Sequence, residues 1–304
     1  MRNKATRHQN RRKGRFRCCS ISSFLTLAIA GLSPTASNAY TAAGDRNFPA
    51  NLILPQIAPT DALWVDFSTQ PMTNGGQTLL TVNYSKLLTE RLGIQIEEGI
   101  AWKPSGTRAQ NFNMLLQDEV ILDQSREFLF SVQVGHSFGA NTSPPSPVTT
   151  PAVTFGKGLG DLPIGYWRPL AITGYAGYQA AEGARTDVFQ AGMSVQYSIP
   201  YLLSKVGNID LPPFLRGVTP VTEVLFTTPI GHAYGRIIDT TLLVAPGISY
   251  SRGRGWELGI SALIPTTKAT GTGIGVIAQL VIQLDYLLPD SVVGRPVFRP
   301  TELP

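Results

Sequence analysis

From about residue 61 onward the chain alternates with a period of two rather than the 3.6 of a helix. The clearest run is Phe189 to Ser198. Phe189, Ala191, Met193, Val195 and Tyr197 fall on one face of an extended strand, and Gln190, Gly192, Ser194, Gln196 and Ser198 on the other. The same pattern sets Phe128, Phe130, Val132 and Val134 against Ser131, Gln133 and Gly135. It sets Trp256, Leu258, Ile260, Ala262 and Ile264 against Glu257, Gly259 and Ser261, and Val276 to Tyr286 against Gln279, Gln283 and Asp285. Leu92, Ile94 and Ile96 alternate with Gly93, Gln95 and Glu97. Further strands are predicted at 62–68, 76–85, 110–121, 167–180, 216–227 and 239–250, with a weaker one at 152–158. Counting the weak strand gives about twelve, the preferred reading; ten is the alternative.

Soluble strands average nearer five or six residues, whereas a membrane-crossing strand needs about 9–11. The runs here have the longer length. Aromatic rings mark the ends of the apolar faces: Tyr84, Trp102, Phe138, Tyr178, Tyr197, Tyr250, Trp256 and Tyr286. Two membrane–water interfaces select for that placement. The predicted fold class is all-β: a single transmembrane up-and-down antiparallel β-barrel after an N-terminal signal peptide. A soluble β-sandwich also alternates and is the competing reading. One position strains the pattern. Glu98 falls on the lipid parity, and a bulge or strand end is expected there.

Charge sharpens this picture. The chain has 25 basic and 20 acidic residues, but eight of the basic ones lie in the first 39, which hold no acid. An apolar run from Ile21 to Leu32 and then Ser37-Asn38-Ala39 complete the pattern of a secretory signal. The remainder carries 17 basic against 20 acidic residues, so the high overall charge belongs to the targeting segment and supports no nucleic-acid partner. Both cysteines, Cys18 and Cys19, fall in the signal. Arg15-Phe16-Arg17 before them is not a lipoprotein box, and Arg11-Arg12 is a weak twin-arginine match. No apolar segment after the signal is long enough for a spanning helix. The expected layout is 1–39 signal peptide, 40–60 periplasmic lead-in, 61–288 barrel and 289–304 C-terminal tail. Ala140 to Pro151, rich in Ser, Thr and Pro, is expected as a surface loop, and Tyr201 to Pro213 as a connection over one mouth.

The polar parity directs Asp66, Glu97, Glu119, Glu223, Glu257 and Asp285 inward as lumen candidates. Buried charges are usually paired, so a network with Arg168, Arg216 or other arginines, plugging a narrow barrel, is the favoured expectation. The competing one is a cation-favouring water path. Catalysis has little support. His136 and Ser137 are adjacent on a strand and point to opposite faces, His232 sits in a Gly-rich loop, and no zinc-type spacing exists. No cofactor, metal or catalytic residue is expected. Phe155-Gly156-Lys157-Gly158-Leu159-Gly160-Asp161-Leu162-Pro163 lacks the ordered spacing of a phosphate loop and reads as a strand end and turn closed by Asp161.

That stretch, with Trp167-Arg168-Pro169-Leu170-Ala171-Ile172-Thr173-Gly174, Gly275 to Leu280, Leu284-Asp285 and Gly294-Arg295-Pro296-Val297-Phe298, resembles a group of uncharacterised bacterial outer-membrane proteins. The group is similar to the barrel family named after the meta-pathway of phenol degradation. The resemblance covers about residues 60–298 and implies one barrel in the outer membrane of a Gram-negative-type cell. The partners it implies are outer-membrane lipid and lipopolysaccharide, the barrel-assembly machinery and periplasmic chaperones. It carries no catalytic residue and no established substrate. Such barrels commonly end on an aromatic residue; this chain ends at Pro304, with Phe298 and Tyr286 further back, so an internal assembly signal is expected. The expected function is a passive channel for small solutes, aromatic or hydrophobic by association with the family name. The alternatives are a closed structural or surface-interaction barrel and, less favoured, a membrane-embedded lipid-modifying enzyme.

Overall fold

A computed structural model describes residues 41–70, 76–139, 147–183, 186–207, 209–230, 239–253 and 255–298. The expected signal peptide, the loop 140–146, His232 and the last six residues lie outside these. Two short strands, β1 (Ala42–Ala43) and β2 (Arg46–Asn47), form a hairpin. The wall follows: β3 (Ala62–Gln70), β4 (Gln77–Leu87), β5 (Leu92–Lys103), the short β6 (Gly106–Ala109), β7 (Asn113–Asp123), β8 (Phe128–Ser137) and β9 (Val148–Gly158). It continues with β10 (Leu170–Ala181), β11 (Asp187–Tyr197), β12 (Val218–Ile230), β13 (Thr241–Tyr250), β14 (Trp256–Pro265) and β15 (Gly275–Gln283). Twelve of these strands pair antiparallel in sequence order, β6 pairing only with β5, and β15 pairs with β3 to close the barrel. Closure pairs each of the twelve wall strands on both sides, and among the described residues only the short β6 is left with a single neighbour.

All twelve predicted strands are present. The weak one at 152–158 is β9, which begins at Val148, so Val148 to Pro151 belong to the wall and not to the loop. The last strand stops at Gln283, where the chain turns into a helical turn, Leu284–Leu287. The apolar parity faces out: Phe67, Val82, Ile100, Leu116, Val134, Met193, Ile260 and Val276 are exposed. The polar parity faces in, and Asn83, Gln117, Ser131, Thr154, Thr173, Ser194 and Ser261 are buried. Trp102, Phe138 and Tyr178 sit near the far end; Tyr197, Tyr250 and Trp256 sit near the end that holds residues 62 and 283. Glu98 pairs with Val82 inside β5, exposed on the outer face with no bulge. The bulge lies instead on β7, between Glu119 and Ile121. On its other side, β5 pairs with β7 up to Glu97 and with β6 from Ile100, so Glu98 stands at the handover.

Residues 40–60 were expected as a lead-in outside the barrel. The structure corrects this: residues 48–58 run through the interior. The physical reason is burial, because the apolar groups of this segment pack on the inner wall. Ala43, Phe48, Ile57 and Ala58 cluster with Leu129 and Ala171, and Leu52 clusters with Val221, Ala245, Leu263 and Ile277. The hydrophobic core is therefore plug against wall, while the outer face keeps its own apolar surface exposed. Inside, Asn51 Nδ2 donates to the carbonyl of Pro55 at 2.8 Å and Gln56 Nε2 to that of Asn51 at 3.0 Å, lacing the loop to itself.

At the terminal end the plug is clamped. The Arg46 guanidinium, 1% exposed, donates from Nε to Glu127 Oε2 at 3.2 Å, and from its other nitrogens to the carbonyls of Pro169 and Arg168. Its Cζ lies 3.8 Å from the centroid of the Tyr201 ring, which adds a cation–π contact. Tyr201 donates its hydroxyl to Glu127 Oε1 at 2.8 Å. Burial, and then this hydrogen bond, push the Tyr201 phenol up to about 12, so it remains a donor. Glu127 holds a positive φ of 49°, a conformation costing about 1–2 kcal/mol for a residue with a side chain, and three partners keep it there. One is the N–H of Gly160, 3.1 Å from Oε2. At the same end of the wall, Lys86 pairs with buried Asp61 at 2.7 Å and donates to the carbonyls of Val293 and Arg295, tying down the C-terminal segment.

The clamp explains a glycine. A Cβ on Gly158 would lie 2.0 Å from Glu127 Oε2 and 2.7 Å from Arg46 Nε. Gly207, by contrast, has open space around it. In denaturant unfolding followed by circular dichroism, Gly158→Ala is expected to lose about 1–3 kcal/mol, the cost of overpacking, and Gly207→Ala to stay within about 0.5 kcal/mol of the parent. Equal stability of the two variants would remove the clamp as a constraint.

Candidate functional site

The interior acids meet partners that sequence spacing does not reveal. Glu223, on β12 and 0% exposed, accepts the N–H of Leu52 at 2.8 Å, of Ile53 at 2.6 Å and of Leu54 at 3.3 Å. Glu257, on β14, accepts the N–H of Ala50 at 3.0 Å and the Ser249 hydroxyl at 2.7 Å. These charge-assisted bonds, each worth about 1.5–3 kcal/mol, fix the plug to the wall and satisfy backbone donors that would otherwise be orphaned. Further bonds surround it. Ser131 and Thr154 donate to the carbonyl of Ile57 at 2.7 and 3.0 Å, and Gln279 to that of Asn51 at 3.2 Å.

Asp66 and Glu97 stand apart from the plug's backbone. Asp66 accepts from Asn83 Nδ2 at 3.1 Å, and Glu97 from Asn113 Nδ2 at 2.7 Å. Both line a cavity of about 570 Å³ bounded on one side by Asn51 to Gln56. A second cavity, of about 270 Å³, lies at the terminal end against Asp45, Asn47, Pro49, Tyr201 and Glu257. The segment 201–213 thus contributes to one mouth through Tyr201 and Ser204. Glu119 sits at the bulge of β7 opposite Ser131, beside Arg91, and lines neither cavity.

Three candidates are placed differently from the expectation. Asp285 is outside the wall, in the helical turn after β15, because the strand ends two residues earlier. Arg168 donates to the carbonyl of Leu162 at 2.8 Å in the loop after β9. Arg216 donates to Leu211 at 2.9 Å and pairs with exposed Asp210 at 3.5 Å. Neither arginine reaches an interior acid; backbone N–H groups of the plug take that role for Glu223 and Glu257.

Arg46, Glu127 and Tyr201 went unseen, as did the plug itself. One signal was available: Gly156 and Gly158 fall on the inward parity of β9 and Gly160 follows in the turn, a run of glycines that marks a close approach of another segment. A Cβ at Gly156 would lie 2.6 Å from Ile57 Cδ1, and one at Gly160 would lie 2.4 Å from the Tyr201 hydroxyl. The stretch is a strand end and turn, with Asp161 paired to Lys157 at 3.2 Å. His136 and Ser137 do face apart: His136 Nδ1 is 3.0 Å from the Thr149 hydroxyl and its ring meets Phe138 edge-on. Among the described residues, no group of His, Cys, Asp and Glu is arranged to hold a metal ion.

Two outcomes are expected. Glu223→Gln, placed in an Ile53→Cys background, is expected to raise the rate of maleimide labelling at residue 53 by about 10- to 100-fold, the weight of a charged hydrogen bond; an unchanged rate would mean that Glu223 does not hold the plug. For Asp285, burial and then the nearby Asp61 push the carboxyl up to about 6, above its ordinary 3.8. The folded state therefore favours the protonated form. Its contribution is present below pH 4 and is lost as pH rises to about 6. Asp285→Asn is expected to flatten that part of the stability–pH curve, and an unaltered slope would contradict it.

No family model matches the chain, and no curated protein does. Solved structures do. An outer-membrane channel from Pseudomonas putida F1 superposes with a TM-score of 0.51 at 10% identity, over 78% of this chain and 99% of that one. The NanC porin gives 0.48 at 9%, covering 73% and 98%, and the KdgM porin 0.45 at 10%, covering 72% and 98%. At such identity the likeness to the Pseudomonas putida channel is one of fold: this chain is a closed antiparallel β-barrel similar in architecture to that structure.

Proposed function

We propose that this protein lies in the outer membrane of a Gram-negative-type cell, delivered there by residues 1–39, and passes small solutes through a narrow, gated lumen. The observation that carries the reading is a pair of cavities, about 570 and 270 Å³, lined by polar wall side chains on either side of a plug that hydrogen bonds secure. The exposed apolar parity with aromatic rings at both ends supports the membrane setting, because a water-facing barrel would place polar groups there. Outer-membrane lipid and lipopolysaccharide are the surroundings this implies, with the barrel-assembly machinery and its chaperones as transient partners. The resemblance to the phenol-pathway barrels favours aromatic or hydrophobic solutes.

The acids divide into two roles. Glu223 and Glu257 are spent on the plug, so selectivity falls to Asp66 and Glu97, which line the larger cavity. A ring of carboxylates favours cations by simple field.

The test is planar-bilayer conductance of refolded protein that shows heat-modifiable migration. Small, cation-selective steps are expected from the parent. Asp66→Asn with Glu97→Gln is expected to shift selectivity toward anions, and Glu223→Gln to enlarge or lengthen the open events. A folded barrel that never conducts, in parent or in Glu223→Gln, would favour the second reading, a closed structural or surface-interaction barrel. The specific observation behind that reading is the depth of the plug: Phe48, Leu52, Leu54 and Ile57 are all buried.

A further inference from the structure

The larger cavity has the chemistry of a binding site, an inference that rests on reading the barrel interior as a solute path. One side of it is a ladder of side chains across four strands. Asn83 donates to Asp66, Gln95 Nε2 donates to Asn83 Oδ1 at 3.1 Å, and Asn113 donates to Glu97. Asn83 is in register with Glu97, so it stands between the two carboxylates. One N–H of each amide is taken by a member of the ladder. The two carboxylates give this side of the cavity its negative charge.

No Lys or Arg lines the cavity among the described residues. His136 contributes to the lining, but it stands on the outer parity of β8 and its Nδ1 contacts Thr149. Across the cavity Gln133 points inward from β8. It is 8% exposed, and its Oε1 has no hydrogen-bond partner. Asp66 Oδ1 is likewise unpartnered; buried polar atoms are nearly always satisfied, so these acceptors mark places for a donor. Trp64 and Tyr175 add ring surfaces, which attract cations, and Leu115 and Leu225 add apolar wall. A cavity of about 570 Å³ is within the range that holds a small organic molecule.

We propose that this cavity binds small organic cations: an ammonium group on a compact apolar body, its N–H groups directed at Asp66 and Glu97 and its body against the rings. The ligand class follows from the balance of the lining. An anion would meet two like charges. A neutral aromatic solute would leave the acceptors unmatched.

Binding to the full-length barrel, folded in detergent and checked by heat-modifiable migration, is measured by calorimetry with three probes of one shape: benzylammonium, benzyl alcohol and benzoate. Benzylammonium is expected to bind about tenfold or more tighter than benzyl alcohol, with benzoate weakest. Its affinity is expected to fall about tenfold in Asp66→Asn with Glu97→Gln. Equal binding of ammonium and alcohol overturns the proposal, as does preference for benzoate or absence of benzylammonium binding. The parent series decides the matter even where the double variant fails to fold. Because the measurement needs no conduction, a barrel that binds but does not conduct keeps this inference and loses the channel. A barrel that conducts without binding loses only this inference.

Discussion

A carboxylate at the centre of a protein must find donors, and Glu223 finds three in consecutive N–H groups of its own chain's N-terminal segment. Much of the interior follows from that contact. It holds the turn at Leu52 to Leu54 against β12, and this sets Leu52 among Val221, Ala245, Leu263 and Ile277. With the turn placed there, Ala50 reaches Glu257, and the carbonyls of Asn51 and Ile57 meet Gln279, Ser131 and Thr154. The arrangement satisfies both parties: an irregular segment has no ladder of its own, and an interior acid has no water.

The wall was legible because a strand with one apolar and one polar face writes its period into the sequence. Phe189 to Ser198 shows it, and Met193 and Ser194 duly end on opposite sides. The parity also located Asp66, Glu97, Glu223 and Glu257 on the inner face. The plug was illegible for the converse reason. Residues 48–58 have no period, and Pro49, Pro55 and Pro59 read as a linker. Charge pairing misled as well. Arg168 and Arg216 are close to strand ends in sequence, yet their guanidinium groups satisfy local carbonyls. Arg46, far from any predicted strand, is the buried arginine of the described residues, and its partners come from three separate connections. Nothing in the order of residues announces a contact across 81 positions, such as Arg46 with Glu127.

The same segment is obstacle and organiser. It divides the interior into a larger polar cavity and a smaller one, and it supplies the apolar groups that give the barrel a core. A barrel of this width without it would face water with Leu129, Ala171 and Val221 on its inner wall. Removing the plug would therefore cost the barrel its core.

The span of these contacts also orders the life of the chain. Ala50 bonds Glu257 across 207 positions, and Asn51 bonds Gln279 across 228. The plug segment lies early in the chain and the last of its seats late. Arg46 meets Glu127 across 81 positions, Glu223, Glu257 and Gln279 lie in the last four strands of the wall, and β15 must reach back to β3. Contacts so distant carry a loop-closure cost that rises with separation. Because its seats are spread over strands that close the wall, the plug cannot be fully seated before the barrel closes.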